Sequence, residues 1–182
     1  FGVNIVGGDL SRSDKIVVDV SVIGEVAKKM LVLRSGAKVN DILFVSGELG
    51  GSIYGRHLRF TPRLIESAYL VNNYKVNAML DISDGLSLDL SRLCQASGVG
   101  AVVYEELIPV SKDAKAFSEA LDMGEDFELL FSLSLKEARR LIKSGNKSFK
   151  AIGEIRPRQE GIKIINRDCK IRELVARGYQ HF

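Results

Sequence analysis

The sequence is short of several residue types and patterns, and each scarcity excludes something. Cysteine and histidine occur only twice each in 182 residues, as Cys94, Cys169, His57 and His181. Two cysteines make no disulfide framework, so a reducing compartment, the cytoplasm, is expected. No C-x-x-C pair and no H-E-x-x-H segment occurs, and the two histidines are far apart, so each reads as a surface or packing residue. Neither charge sign dominates: 26 Lys and Arg face 23 Asp and Glu, a net charge of +3. That excess is too mild to argue for nucleic acid as a partner. There is no long uncharged apolar run to span a membrane. No low-complexity tract argues for disorder. A P-loop and the protein-kinase signature set are both absent. The start lacks the basic n-region and small-residue cleavage site of a signal peptide. It runs from Phe1 straight into an apolar, Gly-rich segment, which reads as a cut from something longer.

What is present is an ordinary globular composition, 46% hydrophobic and 27% charged, enough for one generous domain or two small ones. Gly2 to Val6 reads as a short buried strand ending at Gly7-Gly8-Asp9. Ile16, Val18, Val20 and Val22 alternate with Asp19 and Ser21, the period of a strand. Ile42 to Val45 is a further strand, closed by Ser46-Gly47. Thr61-Pro62 predicts a helix start, with Thr at the N-cap and Pro at the first helical position. Leu64, Ile65, Ala68 and Tyr69 then form its apolar stripe. Ala78 to Leu80 reads as a buried strand running into Asp81-Ile82-Ser83-Asp84-Gly85. The next helix carries Leu86, Leu90, Leu93 and Cys94 on one face and stops at Gly98. Strands are expected at Ala101 to Tyr104, Phe127 to Leu133, Phe149 to Ile155 and Gly161 to Ile165. Ser134 to Glu137 is a capping box opening a helix with Leu135, Ala138, Leu141 and Ile142 on its apolar face. The first strands have no helix between them and no repeat is visible. The pattern therefore favours an α+β fold with a mixed sheet and packed helices over a doubly wound parallel one. The break near Gly36 to Asp41 is the expected domain boundary.

Chemistry concentrates in three acidic clusters. In Gly7-Gly8-Asp9-Leu10-Ser11-Arg12-Ser13 the glycines allow close approach of backbone to a ligand. Asp9 with its hydroxyls and arginine suits a metal-bound phosphate, or else a simple Asx-turn. In Asp81-Ile82-Ser83-Asp84-Gly85 two carboxylates stand three residues apart at a strand end, with Asp84 as the expected N-cap of the next helix. Such a pair suits a hard cation like Mg²⁺, beside a helix N-terminus that attracts phosphate. Without a cation or a matched base, buried carboxylates are costly. Gly124-Glu125-Asp126-Phe127-Glu128 crowds three acids before a strand and, alone, reads as a solvated loop. Arg34, in Arg34-Ser35-Gly36-Ala37, is a plausible phosphate fork.

Taken in order, these segments resemble the thiamine-monophosphate kinase family, which belongs to the superfamily of aminoimidazole ribonucleotide synthetase and selenophosphate synthetase. The resemblance rests on G-G-D, R-S-G-A, D-I-S-D-G-L, G-E-D-F-E-L-L and the terminal Gly178-Tyr179-Gln180-His181-Phe182, and spans essentially the whole chain. It implies ATP- and Mg²⁺-dependent phosphorylation of thiamine phosphate to thiamine diphosphate by a homodimer. It further implies that residues 1–35 are the remnant of an N-terminal ATP-binding, barrel-forming domain and 36–182 a C-terminal α+β domain. By position, Asp9, Asp81 and Asp84 would hold Mg²⁺. Gly8, Asp9, Arg34 and Ser83 would bind ATP, and Glu125, Asp126 and Tyr179 would face thiamine phosphate. No side chain is implied as a general base, because the nucleophile is a phosphate oxygen already ionised at neutral pH.

Departures from the family pattern are Leu10 where a threonine is usual and Gly51 where L-G-D-S has its acid. The family's upstream G-D-D-A and T-T-D segments are not in this sequence. The chain alone is therefore expected to be a poor enzyme. Two other readings stand beside the kinase: a different ATP-dependent enzyme of the superfamily, or a non-catalytic binding or dimerisation module.

Overall fold

The computed structural model describes residues 3–179. Seven strands form one sheet in the order β2-β4-β1-β5-β3-β6-β7. They are β1 (Ile42–Ser46), β2 (Val76–Ile82), β3 (Gly100–Tyr104), β4 (Glu128–Leu133), β5 (Phe149–Arg156), β6 (Ile162–Ile165) and β7 (Ile171–Glu173). β3 and β6 run parallel and every other pairing is antiparallel, so the sheet is mixed as expected. Four helices pack on it: α1 (Leu64–Asn73), α2 (Leu86–Ser97), α3 (Phe117–Asp122) and α4 (Leu135–Lys143).

The alternation of each central strand divides the core in two. Leu43 and Val45 of β1, with Leu130 of β4, point to one face, where Leu86, Leu90, Leu93 and Cys94 of α2 cover them. Phe44 and Phe131 point to the other, where Leu70 of α1 and Ala138 and Leu141 of α4 close over them. The Phe44 and Phe131 rings stack at 5.3 Å, and Phe149 meets Phe131 edge-on at 5.5 Å. Gly98 ends α2 in the left-handed conformation, its N–H and that of Val99 closing on the last turn. Cys94 is a buried core residue whose thiol is pushed up to about 12 by burial.

Several expectations are corrected. Residues 3–6 and 16–26 form no strand, and Gly2 lies outside the described residues. Ile16, Val18, Val20 and Val22 are 79–97% exposed. A two-residue period describes a face to be buried, but a strand also needs a neighbour for its N–H and C=O groups. Among the described residues no hydrogen bond joins residues 3–30 to the sheet. The helix expected from Thr61-Pro62 starts later, at Leu64. Arg63 takes the N-cap place without a side-chain cap, because a guanidinium has no acceptor to offer the first-turn N–H groups; it donates to Glu128 and Glu66 instead.

The stripe on α1 is also turned. Leu64, Ile65 and Ala68 face outward, and Leu70 is the buried residue. Ser134 accepts from the Glu137 N–H as the capping box requires, but the Glu137 carboxylate turns to Lys75 N and Arg140 instead of reaching back. On α4, Leu135 and Ile142 stay exposed while Ala138 and Leu141 are buried. Phe117–Asp122 and Ile171–Glu173 are a helix and a strand not read from the pattern.

Phe131→Ala should cost about 3–5 kcal/mol, since it empties an aromatic site at the centre of one core. Ile65→Ala, on the outward face of α1, should stay within about 0.5 kcal/mol. Urea unfolding midpoints of the two variants check both.

Candidate functional site

Three of the segments singled out in the sequence meet at one end of the sheet. The turn after β2, Ser83-Asp84-Gly85, is wrapped by the 124–127 loop and by the chain at 178–179. Glu125 N–H donates to Ser83 O at 2.8 Å, Phe127 N–H to Ile82 O at 2.8 Å, and Tyr179 N–H to Asp84 O at 3.0 Å. The close approach depends on glycine. A Cβ on Gly124, at φ 73°, would lie 2.7 Å from Ser83 O, and one on Gly178 would lie 2.2 Å from Asp84 O. Glu125 and Phe127 are themselves held at φ 57° and 52°, a left-handed conformation that non-glycine residues rarely take without surrounding support.

The acids differ sharply in setting. Asp81 was expected at the end of a buried strand. It stands instead on β2 at the edge of the sheet and is exposed, its carboxylate without a hydrogen-bond or ion-pair partner among the described residues. Asp84 is not the N-cap of α2; Gly85 is, and it makes no side-chain cap. Asp89, one turn into the helix, reaches back instead and holds the turn that precedes it. Its carboxylate accepts from the N–H of Ser83 at 3.1 Å and of Asp84 at 3.0 Å. Asp84 is paired with Arg92, which also donates to Asp89 at 2.7 Å. Burial pushes the Asp89 carboxyl up against the pull of those N–H groups and Arg92, while Asp84 and Asp89 together raise the Arg92 guanidinium.

The loop expected to be solvated is largely buried. Glu125 is exposed, but Asp126 and Glu128 are 5% and 3% exposed. Asp126 accepts from Gly50 N–H with both oxygens, at 2.9 and 3.0 Å, and from Arg56 at 2.7 Å. Glu128 is gripped by two nitrogens of Arg63, at 2.7 and 2.5 Å, and by the Ser46 hydroxyl at 2.8 Å. Between the two ion pairs Phe60 stacks on Phe127, ring centroids 4.2 Å apart. The segment from Gly50 to Arg63 is thus strapped onto the loop by two arginines. Leu49-Gly50-Gly51-Ser52 lies in this strap: Gly50 packs against α3 and Gly51 against Asp113 and Ala114. His57 is a packing residue, its Nδ1 2.9 Å from Ser52 O.

The remaining predicted residues lie apart from this cluster. Gly8 and Asp9 sit in the exposed extended segment, where the Ser11 hydroxyl donates to Asp9 at 3.0 Å. Arg34 is exposed beside the β2 edge. There Leu33 O accepts from Met79 N–H, and the Gly36 and Ala37 N–H groups donate to the Ser97 hydroxyl. Asp9, Asp81 and Asp84 do not form one cluster, and the described residues contain no group of three His, Cys, Asp or Glu placed to hold a metal ion. Tyr179 is half-exposed, and Gln180, His181 and Phe182 lie outside the described residues. No helix among the described residues is long and apolar enough to cross a membrane.

Sequence reading missed Arg56, Arg63, Asp89, Arg92 and the burial of Glu128. The Asp89–Arg92 and Arg63–Glu66 pairs, each three residues apart, had a local signal. The others join residues more than sixty positions apart.

Desolvation outweighs Arg56 and Gly50 at Asp126 and pushes its carboxyl up to about 6 from 3.8. A raised acid favours the protonated folded state. Its contribution is therefore fully present below pH 3.8, falls as pH rises to about 6, and is gone above that. The stability difference between wild type and Asp126→Asn should fall by up to about 3 kcal/mol between pH 4 and 6 and then level off. Urea unfolding of both proteins across that range measures it.

Residues 35–165 match the family described as AIR synthase related protein, C-terminal domain. Thiamine-monophosphate kinase of Rhodopirellula baltica is 42% identical over 148 residues, covering 76% of this chain and 46% of that protein. The Bacillus subtilis enzyme of the same name is 32% identical over 213 residues, covering 100% of this chain and 65% of that protein. A solved structure, AaThiL complexed with AMPPCP and TMP, superimposes with a TM-score of 0.68 at 29% identity, covering 83% of this chain and 54% of that chain. The chain thus spans roughly half to two thirds of the length of these relatives.

Proposed function

The chain belongs to the AIR synthase related protein family through its C-terminal domain, and from this we propose that it works as part of a thiamine-monophosphate kinase, transferring the terminal phosphoryl group of ATP to thiamine phosphate. The observation that carries the reading is the convergence of the D-I-S-D-G, G-E-D-F-E and G-Y segments around Asp84. The names of the curated relatives, and the ATP analogue and TMP of the solved relative, support it. In this reading residues 1–35 belong to an ATP-binding, dimer-forming domain and 36–182 form the C-terminal domain of a cytoplasmic homodimer. The start of the family match at residue 35 supports that division.

The acceptor is a phosphate oxygen, ionised at neutral pH, so the protein needs no general base. Its task is to place two anionic groups in line and offset their charge. Asp81 fits a Mg²⁺ ligand: it is an exposed carboxylate at a strand end with no partner of its own. Asp84, three residues on, would be the second oxygen donor; Asp9, which lies apart from both here, would be the third only with the N-terminal segment brought up to them. Bound there, Mg²⁺ would supply positive charge to the phosphate oxygens. Ser83 and the N-terminus of α2 face the same anions, with Gly8 and Arg34 completing the ATP contacts. Glu125, pushed outward by the left-handed backbone, addresses thiamine phosphate together with Tyr179. Asp126 was expected to join them. With 5% exposure and its ion pair to Arg56, it holds the loop from beneath.

A different enzyme on the same scaffold would spare thiamine phosphate and consume ATP with another acceptor. A binding module would bind without turnover. In the assembled enzyme, Asp81→Asn should lower thiamine diphosphate formation on the order of 100-fold or more, with the fold intact by circular dichroism. Chromatographic product quantification with ATP and Mg²⁺ makes the test; unchanged turnover would remove Asp81 from the site. The 182-residue chain alone should form little or no product.

A further inference from the structure

Asp84 is offered to a cation in the reading above, yet one of its two carboxylate oxygens, Oδ2, is already engaged. Arg92 Nη1 contacts Asp84 Oδ2, and the same nitrogen donates to Asp89 Oδ1 at 2.7 Å. The two acids are not equivalent. Asp89 is 1% exposed and has two backbone N–H groups on its other oxygen. Asp84 is half-buried at the mouth of the site, and Arg92 is the only side chain paired with its carboxylate among the described residues. Arg92 is therefore anchored by Asp89 and shared with Asp84.

We propose that Arg92 is a resident counter-ion of Asp84, which a divalent cation must displace in order to bind there. This rests on the reading of Asp84 as a cation ligand. A guanidinium and a metal ion are both positive: they compete directly for Oδ2 and repel each other when the ion approaches the neighbouring Oδ1. Displacement is made easy by the sharing: Arg92 gives up one acceptor and keeps the other, on a buried acid that needs its charge. The loop is not released either, because Asp89 still holds the Ser83 and Asp84 N–H groups. Arg92 then stays beside Asp84, and a phosphate entering with the cation meets up to four N–H donors of its planar fork, the fifth remaining on Asp89. In the empty protein the same residue keeps Asp84 neutralised and the turn in shape. Arg92 acts on the cation through Asp84, so it is a positioning residue.

The test titrates the full 182-residue chain with Mn²⁺ alone, reading free Mn²⁺ by electron paramagnetic resonance. Arg92→Gln should bind Mn²⁺ about two- to fivefold more tightly than wild type, the factor expected for removing a partly exposed competing ion pair. Asp84→Asn should lose this binding, and Arg92→Gln added to Asp84→Asn should restore none of it. By linkage, saturating Mn²⁺ should raise the melting temperature of Arg92→Gln more than that of wild type. Equal or weaker binding by Arg92→Gln, with Asp84→Asn still impaired, overturns the proposal and leaves the cation reading standing. Wild-type binding by Asp84→Asn overturns both. If Arg92→Gln fails to fold, the neutral Arg92→Met decides: tighter binding than wild type supports displacement, and unchanged or weaker binding refutes it.

Discussion

Two carboxylates taken out of water, Asp126 and Glu128, set the terms for everything around them. A buried charge without a partner costs several kcal/mol, so the chain must bring cations to this spot or not fold this way. Arg56 and Arg63 meet that demand from a segment about seventy positions away, with the Ser46 hydroxyl and the Gly50 N–H filling the remaining oxygens. The 50–63 strap and the head of β4 thereby become one unit. Its position fixes the backbone between the anchors: with Asp126 and Glu128 turned inward, Glu125 is left facing solvent. A loop of acids that would otherwise repel one another becomes a rigid rim with a single outward carboxylate.

The rim is useful because of what it is pressed against. Gly124 and Gly178 bring two chain segments within backbone contact of Ser83 and Asp84, closer than any side chain would permit. Asp89 works from the other side, holding the same turn by its N–H groups. The turn is thus fixed from the loop, the C-terminal segment and the helix at once. Its two acids remain different, Asp81 free at the sheet edge and Asp84 masked by Arg92. A site that works, as proposed, by charge and position without a proton-transfer residue needs this kind of over-determined backbone.

Much of the fold was legible from residue 42 onward because strand alternation and helix stops are local. The β1 run, the α2 stripe ending at Gly98, and the Ser134 cap each carry their signal within a few residues. The failures share a different cause. Ile16 to Val26 has the period of a strand but no neighbour among the described residues, and a period cannot supply one. On α1 the expected stripe was Leu64, Ile65, Ala68 and Tyr69, and of these only Tyr69 turns to the core, where Tyr74 and Phe149 pack on it beside the buried Leu70.

The site divides along the same line. By itself the sequence determined which residue types could serve cations and phosphates, where they cluster, and which family the chain belongs to, because short motifs of acids and glycines keep their spacing. It could not say that Asp126 and Glu128 are buried, that Asp84 is ion-paired, or that Asp89 holds the turn before α2. Those are decided by charge partners drawn from distant parts of the chain. Electrostatic pairing depends on separation in space and on exclusion of water, and both exist only once the sheet has brought the loops together.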